Sequence, residues 1–149
     1  MIYAPRSFDL DAYVRELPPD LGRVLLKVAV VEEWLEGLLL VHLDLDEAGV
    51  AKQFGDYGPL NSFGKKIRKA HELHLIDDEA EANLIVLKEV RNAFAHTRRH
   101  LDLTSYAITK WLGEESFDVR VQRAINTLDA KLEQSTYNHA VGNKESPGG

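Results

Sequence analysis

The sequence predicts an all-α protein, a single-domain helical bundle of about five to seven helices. Three observations carry that expectation. At least four segments repeat apolar residues at intervals of three and four, the period of an amphipathic helix. Between them stand Asp and Ser residues suited to start helices, and Gly and Pro residues suited to end them. No segment alternates apolar and polar residues with the two-residue period of a strand, and no internal repeat is present.

Taken in order, residues 8–16 form a short helix that stops before Pro18 and Pro19, which punctuate the chain. Asp20 is the expected N-cap of a long helix from Leu21 to Leu43. Leu21, Val24, Leu25, Val28, Val31, Leu35, Leu38 and Leu39 keep helical spacing there, and Trp34 and Leu40 widen the arc. Such a broad apolar face belongs at the centre of a bundle or at a dimer seam. Asp46 caps a short helix to about Phe54, and residues 55–59 form a loop. Ser62 caps the next helix, residues 63–73, whose Phe63, Ile67 and Ala70 share a face. Lys65, Lys66, Arg68 and Lys69 are expected to point largely away from that face. Asp77 or Asp78 starts the following helix, and Asp78 with Glu81 fits a capping box. Thr104 or Ser105 starts a short helix through Trp111 that Gly113 ends. A last helix runs over about 117–132, with Val119, Val121, Ala124, Ile125, Leu128 and Leu132 on its apolar face. The domain is thus expected over residues 1–134, and 135–149, which has little to bury, as a flexible tail.

The stretch with most chemical content is 84–100, LIVLKEVRNAFAHTRRH. At about 100° per residue, Leu84, Val86, Leu87, Val90 and Phe94 fall on one arc, while Lys88, Arg91, Asn92, Ala95 and His96 fall on another. One face enters a core; the other offers a cation, an amide and an imidazole. A polar face of this kind is most often simply solvated.

Reading back from His96, the ordered run Gly58-Pro59-Leu60, Leu73-x-Leu75-Ile76 and Arg91-Asn92-x-x-Ala95-His96 resembles the mannitol operon repressor (MtlR-like) family. Through it the chain resembles the wider HEPN group of helical domains, whose signature is an Arg and a His separated by four to six residues. The resemblance covers about 40 residues well. It implies an MtlR/HEPN-like bundle, and for a regulator it implies control of sugar-alcohol (mannitol) uptake. For a HEPN ribonuclease it implies Arg91, Asn92 and His96 as the catalytic group, facing its copy across a dimer.

Composition narrows the partners. The formal charge is −6, and basic residues cluster only at 65–69 and at Arg98 with Arg99. That is thin for tight duplex DNA binding, which needs a continuous basic face, and no helix-turn-helix pattern is evident. Lys65, Lys66, Lys69, Lys88, Arg98 and Arg99 are instead candidate contacts for a short anion or RNA. Cysteine is absent, so there is no thiol-based metal site. His71 and His74 lie three apart without a third ligand nearby, so no metal is expected, and no glycine pattern points to a nucleotide cofactor. The apolar run 24–43 is interrupted by Lys27, Glu32, Glu33 and Glu36, so no membrane span is expected. The N-terminus does not read as a secretory signal, and a cytoplasmic protein is the expectation.

Metal-independent RNA cleavage needs a base for the 2′-hydroxyl, an acid for the leaving oxygen and a cation for the phosphate. His96 offers an imidazole, the usual proton carrier, and Arg91 can grip phosphate, but one imidazole cannot easily be base and acid in a single step. The structural alternative pairs Arg91 with Glu89, Glu81 or an acid on another helix, and places His96 at a helix C-terminus. The favoured reading is a homodimeric transcriptional regulator that acts through a protein partner and without direct DNA contact. The alternative is a metal-independent endoribonuclease of a toxin or defence system.

Overall fold

The computed structural model describes residues 9–96 and 101–145. Seven helices occupy them: α1 Leu10–Glu16, α2 Leu21–Leu43, α3 Glu47–Phe54, α4 Phe63–Glu72, α5 Asp78–His96, α6 Tyr106–Leu112 and α7 Phe117–Glu145. No strand occurs among the described residues. The all-helical expectation therefore holds.

The bundle is built around α2. Its Val24, Val28, Val31, Leu35, Leu38 and Leu39 are completely buried. They sit at three-and-four spacing, so they form one stripe, and that stripe faces α7, α5 and α4 together. The second hub is α5, which packs on α2, α4, α6 and α7 and buries Leu84, Leu87, Val90 and Phe94. Phe63, Ile67 and Ala70 of α4 and Phe117, Val121, Ala124 and Leu128 of α7 close the core. Val119, expected on the apolar face of α7, is about half exposed at 53%; it lies two residues, or about 200°, from the buried Val121.

Most helix starts follow the capping residues read from the sequence, with departures at α2 and α5. Asp46 and Ser62 accept hydrogen bonds from the first turns of α3 and α4 as expected, and Asp9, expected inside the first helix, instead caps α1. Asp20 does not cap α2; its Oδ2 instead accepts from the Leu103 N–H at 2.9 Å, fastening the segment before α6 to the start of α2. Asp77 caps α5, accepting from the Ala80 N–H at 2.8 Å. The Asp78–Glu81 capping box does not form, because both carboxylates turn to His71. α7 continues to Glu145, well past the expected end near residue 132. Pro147 is the first proline in that direction, and extending a formed helix adds a hydrogen bond per residue without new nucleation.

Gly58 in the α3–α4 loop is buried because the chain doubles back there. A Cβ at this position would collide with the carbonyl oxygens of Lys52 and Gln53. The Leu60 N–H then bonds the Gln53 carbonyl at 2.8 Å, and the Leu60 side chain anchors the loop in the core. His74 takes a left-handed φ of 59° just past α4, where the Leu75 N–H returns to the Ala70 carbonyl and drives Leu75 and Ile76 inward.

Leu35→Ala should lower stability by about 2–5 kcal/mol, since α2 is held on several sides and cannot collapse into the void. Leu26→Ala, at a position 67% exposed on the same helix, should stay within about 0.5 kcal/mol. Urea unfolding followed by circular dichroism measures both, and equal losses would contradict the assignment of the buried stripe.

Candidate functional site

The polar face of α5 meets α2 and α4 in a charged knot at Arg91 and Asn92, while its end at Ala95 and His96 is exposed. Glu32, on α2 one residue after the buried Val31, lies between two cations. Its Oε2 accepts from Lys66 Nζ at 2.7 Å, and its Oε1 lies 3.4 Å from an Arg91 terminal nitrogen. Glu36, one helical turn on, adds a second contact to Lys66 at 3.3 Å. The Lys66 side chain is only 9% exposed. Its ammonium also faces the Phe54 ring, as the Arg91 guanidinium faces Phe63, 5.4 Å from the ring centre. Lys66 thus does not point away from the core as the sequence pattern suggested. An i, i+3, i+4 count places Phe63, Lys66, Ile67 and Ala70 on one face, and Lys66 is buried because two carboxylates on α2 meet it there.

Arg91 has the partner that the structural alternative required, an acid on another helix. That partner is Glu32; Glu89 pairs with Lys88 at 3.3 Å and Glu81 with His71. Arg91 also donates to Asn92 Oδ1 at 3.3 Å. Asn92 therefore serves Arg91 and makes no hydrogen bond to His96. His96 is exposed at the last residue of α5, without a hydrogen-bond or ion partner among the described residues. The expected cluster is therefore divided: Arg91 and Asn92 belong to the inter-helix knot, and His96 stands apart at the helix end.

This division limits what the residues can do chemically. A phosphate approaching Arg91 would meet the Glu32 carboxylate already on the same guanidinium, and like charges repel. The Arg91–Asn92–His96 group holds a single imidazole, so acid and base from this group would have to come from two chains.

The other candidate anion contacts also separate. Lys66 is buried and paired, so it is unavailable to a ligand. Lys88 lies against Gly64 and pairs with Glu89. Lys65 and Lys69 lie on the outer side of α4, with Arg68 between them. Arg98 and Arg99 lie outside the described residues.

Two polar assemblies were not legible in the sequence. The first ties α5 to α6 and α7. Asn83, 5% exposed, donates to the Arg120 carbonyl at 3.0 Å and accepts from the Arg120 guanidinium at 2.8 Å. Arg120 also donates to the Leu112 carbonyl at the end of α6. An Asn on an apolar arc is the only signal, and it needs a partner some 37 residues away. In the second, His71 offers one ring nitrogen to each of two carboxylates, Asp78 at 2.7 Å and Glu81 at 3.2 Å. The Asp78 hydrogen bond lifts the imidazole above its ordinary value; partial burial opposes it, and the charges of Glu81, Asp78 and Glu72 add to it. Among the described residues no three His, Asp or Glu side chains converge as a metal site, and no helix is long and apolar enough to cross a membrane.

Comparison with protein-family models, with curated proteins and with solved structures finds no match to this chain.

Glu32→Leu strands Lys66 with Glu36 alone and leaves Arg91 without a carboxylate. It should cost roughly 3 kcal/mol, as breaking a buried pair does. Arg91→Ala should cost about 1 kcal/mol or less, because that side chain is 27% exposed and its pair is long. Chemical denaturation of both variants checks the order. A pH effect follows from His71. Its folded pKa is raised, so the clasp contributes fully below the ordinary imidazole value near 6.5 and is lost as pH rises through the folded value. The melting temperature of wild type should therefore fall more between about pH 5.5 and 8.5 than that of His71→Gln; parallel curves would contradict it.

Proposed function

We propose that this chain is a regulatory binding protein of the MtlR-like kind, acting through a protein partner and not by contacting DNA. The observation that supports it most is the engagement of Arg91. Its guanidinium is held by Glu32 and Asn92 and laid on Phe63, which suits a device that sets three helices together. The residues carrying the family resemblance have comparable work in the fold: Gly58 allows the close turn, Leu60, Leu75 and Ile76 anchor it, and Arg91 ties α5 to α2. The absence of DNA binding is supported by the charge of −6 and by the burial of Lys66 within the one described basic cluster. Control of sugar-alcohol uptake and homodimerisation both rest on the resemblance alone, since the apolar stripe of α2 is covered within the chain.

The test pairs two assays on purified protein. Generic RNA incubated with wild type in EDTA should remain intact, and promoter DNA should not shift at physiological salt. RNA cleavage that disappears in His96→Ala and Arg91→Ala while their melts stay unchanged would replace the regulatory reading with a metal-independent endoribonuclease. Nanomolar sequence-specific DNA binding would overturn the indirect mode of action.

A further inference from the structure

The outer side of α4 carries a feature that the regulatory reading leaves unused. A groove of about 380 Å³ runs between α4 and the α3–α4 loop. On the helix side stand Lys65, Arg68 and Lys69, three and four residues apart and therefore neighbours on one face. On the loop side stand Pro59 and Leu60. Both walls are firmly set. The opposite face of α4 is buried in the core, and the loop is fixed by the close turn at Gly58 and by the Leu60 anchor.

The cations in this groove are unsatisfied. Lys65 donates only to the neutral amide oxygen of Asn61, at 3.1 Å. The side chains of Arg68 and Lys69 have no hydrogen-bond or ion partner among the described residues. Elsewhere the cations at helix seams are matched: Arg23 and Lys27 hold Asp118, and Arg123 holds Glu115. In a chain whose acids outnumber its bases by 24 to 18, three adjacent cations on a preformed wall that carries the single carboxylate of Glu72 favour an anion from outside. Glu72, one turn beyond Arg68, closes the far end with the opposite sign and so orients the ligand.

We propose that this groove binds a short acidic segment of a protein partner. Its carboxylates would lie along Lys65, Arg68 and Lys69, with an apolar side chain against Pro59. This rests on the reading of the chain as a partner-binding regulator and names the class of partner surface. A short segment fits better than RNA. Three cations neutralise few phosphates, and the net charge of −6 repels a polyanion that extends beyond the groove. An acidic peptide feels the local field alone and adds an apolar contact.

The test uses a fluorescein-labelled peptide of glutamates flanking a tryptophan, followed by anisotropy, with the matched glutamine peptide and an oligouridylate as further probes. The acidic peptide should bind and weaken with added salt, and the glutamine peptide should bind about tenfold or more weakly, the equivalent of 1.4 kcal/mol. The double variant R68E/K69E should lose at least about tenfold while its thermal melt is unchanged; R68Q/K69Q should fall between it and wild type. Equal binding by R68E/K69E and wild type, no preference for glutamate over glutamine, or no acidic-peptide binding at millimolar concentration would each overturn the proposal. Tighter binding of the oligouridylate would overturn it in favour of RNA. The titration needs no identified partner. RNA cleavage by wild type would sink the regulatory reading and leave the peptide result standing; peptide failure with intact RNA would remove the groove alone.

Discussion

A long helix with apolar residues on most of its circumference must be covered on several sides at once, and α2 imposes that constraint on the rest of the chain. Six of its side chains are fully excluded from water. At about 1.5–3 kcal/mol for each buried aliphatic side chain, this stripe is a major driving term for folding. It also dictates topology, since α4, α5 and α7 must all reach α2. α5, similarly apolar on one arc, then fills the space between α4 and α7 and carries α6 on its remaining side.

Charges within the bundle follow from the same packing. Glu32 and Glu36 interrupt the apolar run of α2 one turn apart, where α4 and α5 converge on it. Leaving them dry and unpaired would be costly, and Lys66 and Arg91 are placed to meet them. The pairing gives α4 and α5 a defined register on α2, which an apolar stripe alone does less sharply. Asp118 repeats the arrangement at the start of α7. Lys27, by direct hydrogen bond, and then Arg23 hold its carboxyl below the ordinary range, tying α7 to α2. The Asn83–Arg120 knot does the same between α5, α6 and α7 with a neutral partner.

These demands bear on function. An Arg and a His at ribonuclease spacing suggest a phosphate site when seen on a helical wheel. In three dimensions the Arg is claimed by a carboxylate of another helix, and the His is left exposed at the helix end. Arg68 and Lys69, whose side chains have no partner among the described residues, lie elsewhere, on the outer side of α4. Side chains already satisfied by the fold are poor places to seek a ligand, and unsatisfied ones on rigid walls are better.

The sequence by itself determined the helical class, most helix boundaries and most of the core. Those depend on local periodicity and capping chemistry within a few turns, as at Asp46, Ser62 and the stripe from Val24 to Leu39. It also placed a helix-ending glycine at Gly113, where a φ of 65° would strain any side chain. Tertiary structure alone decided the fate of the polar residues. Lys66 and Arg68 are two positions apart and look alike in sequence, yet one is buried against Glu32 and the other faces an open groove. Asp20 and Glu81 looked like caps and instead bond Leu103 and His71. A charged side chain has reach and no fixed partner, so its role is set by which opposite charge folding brings within a few ångströms, and periodicity along one helix carries no information about the next.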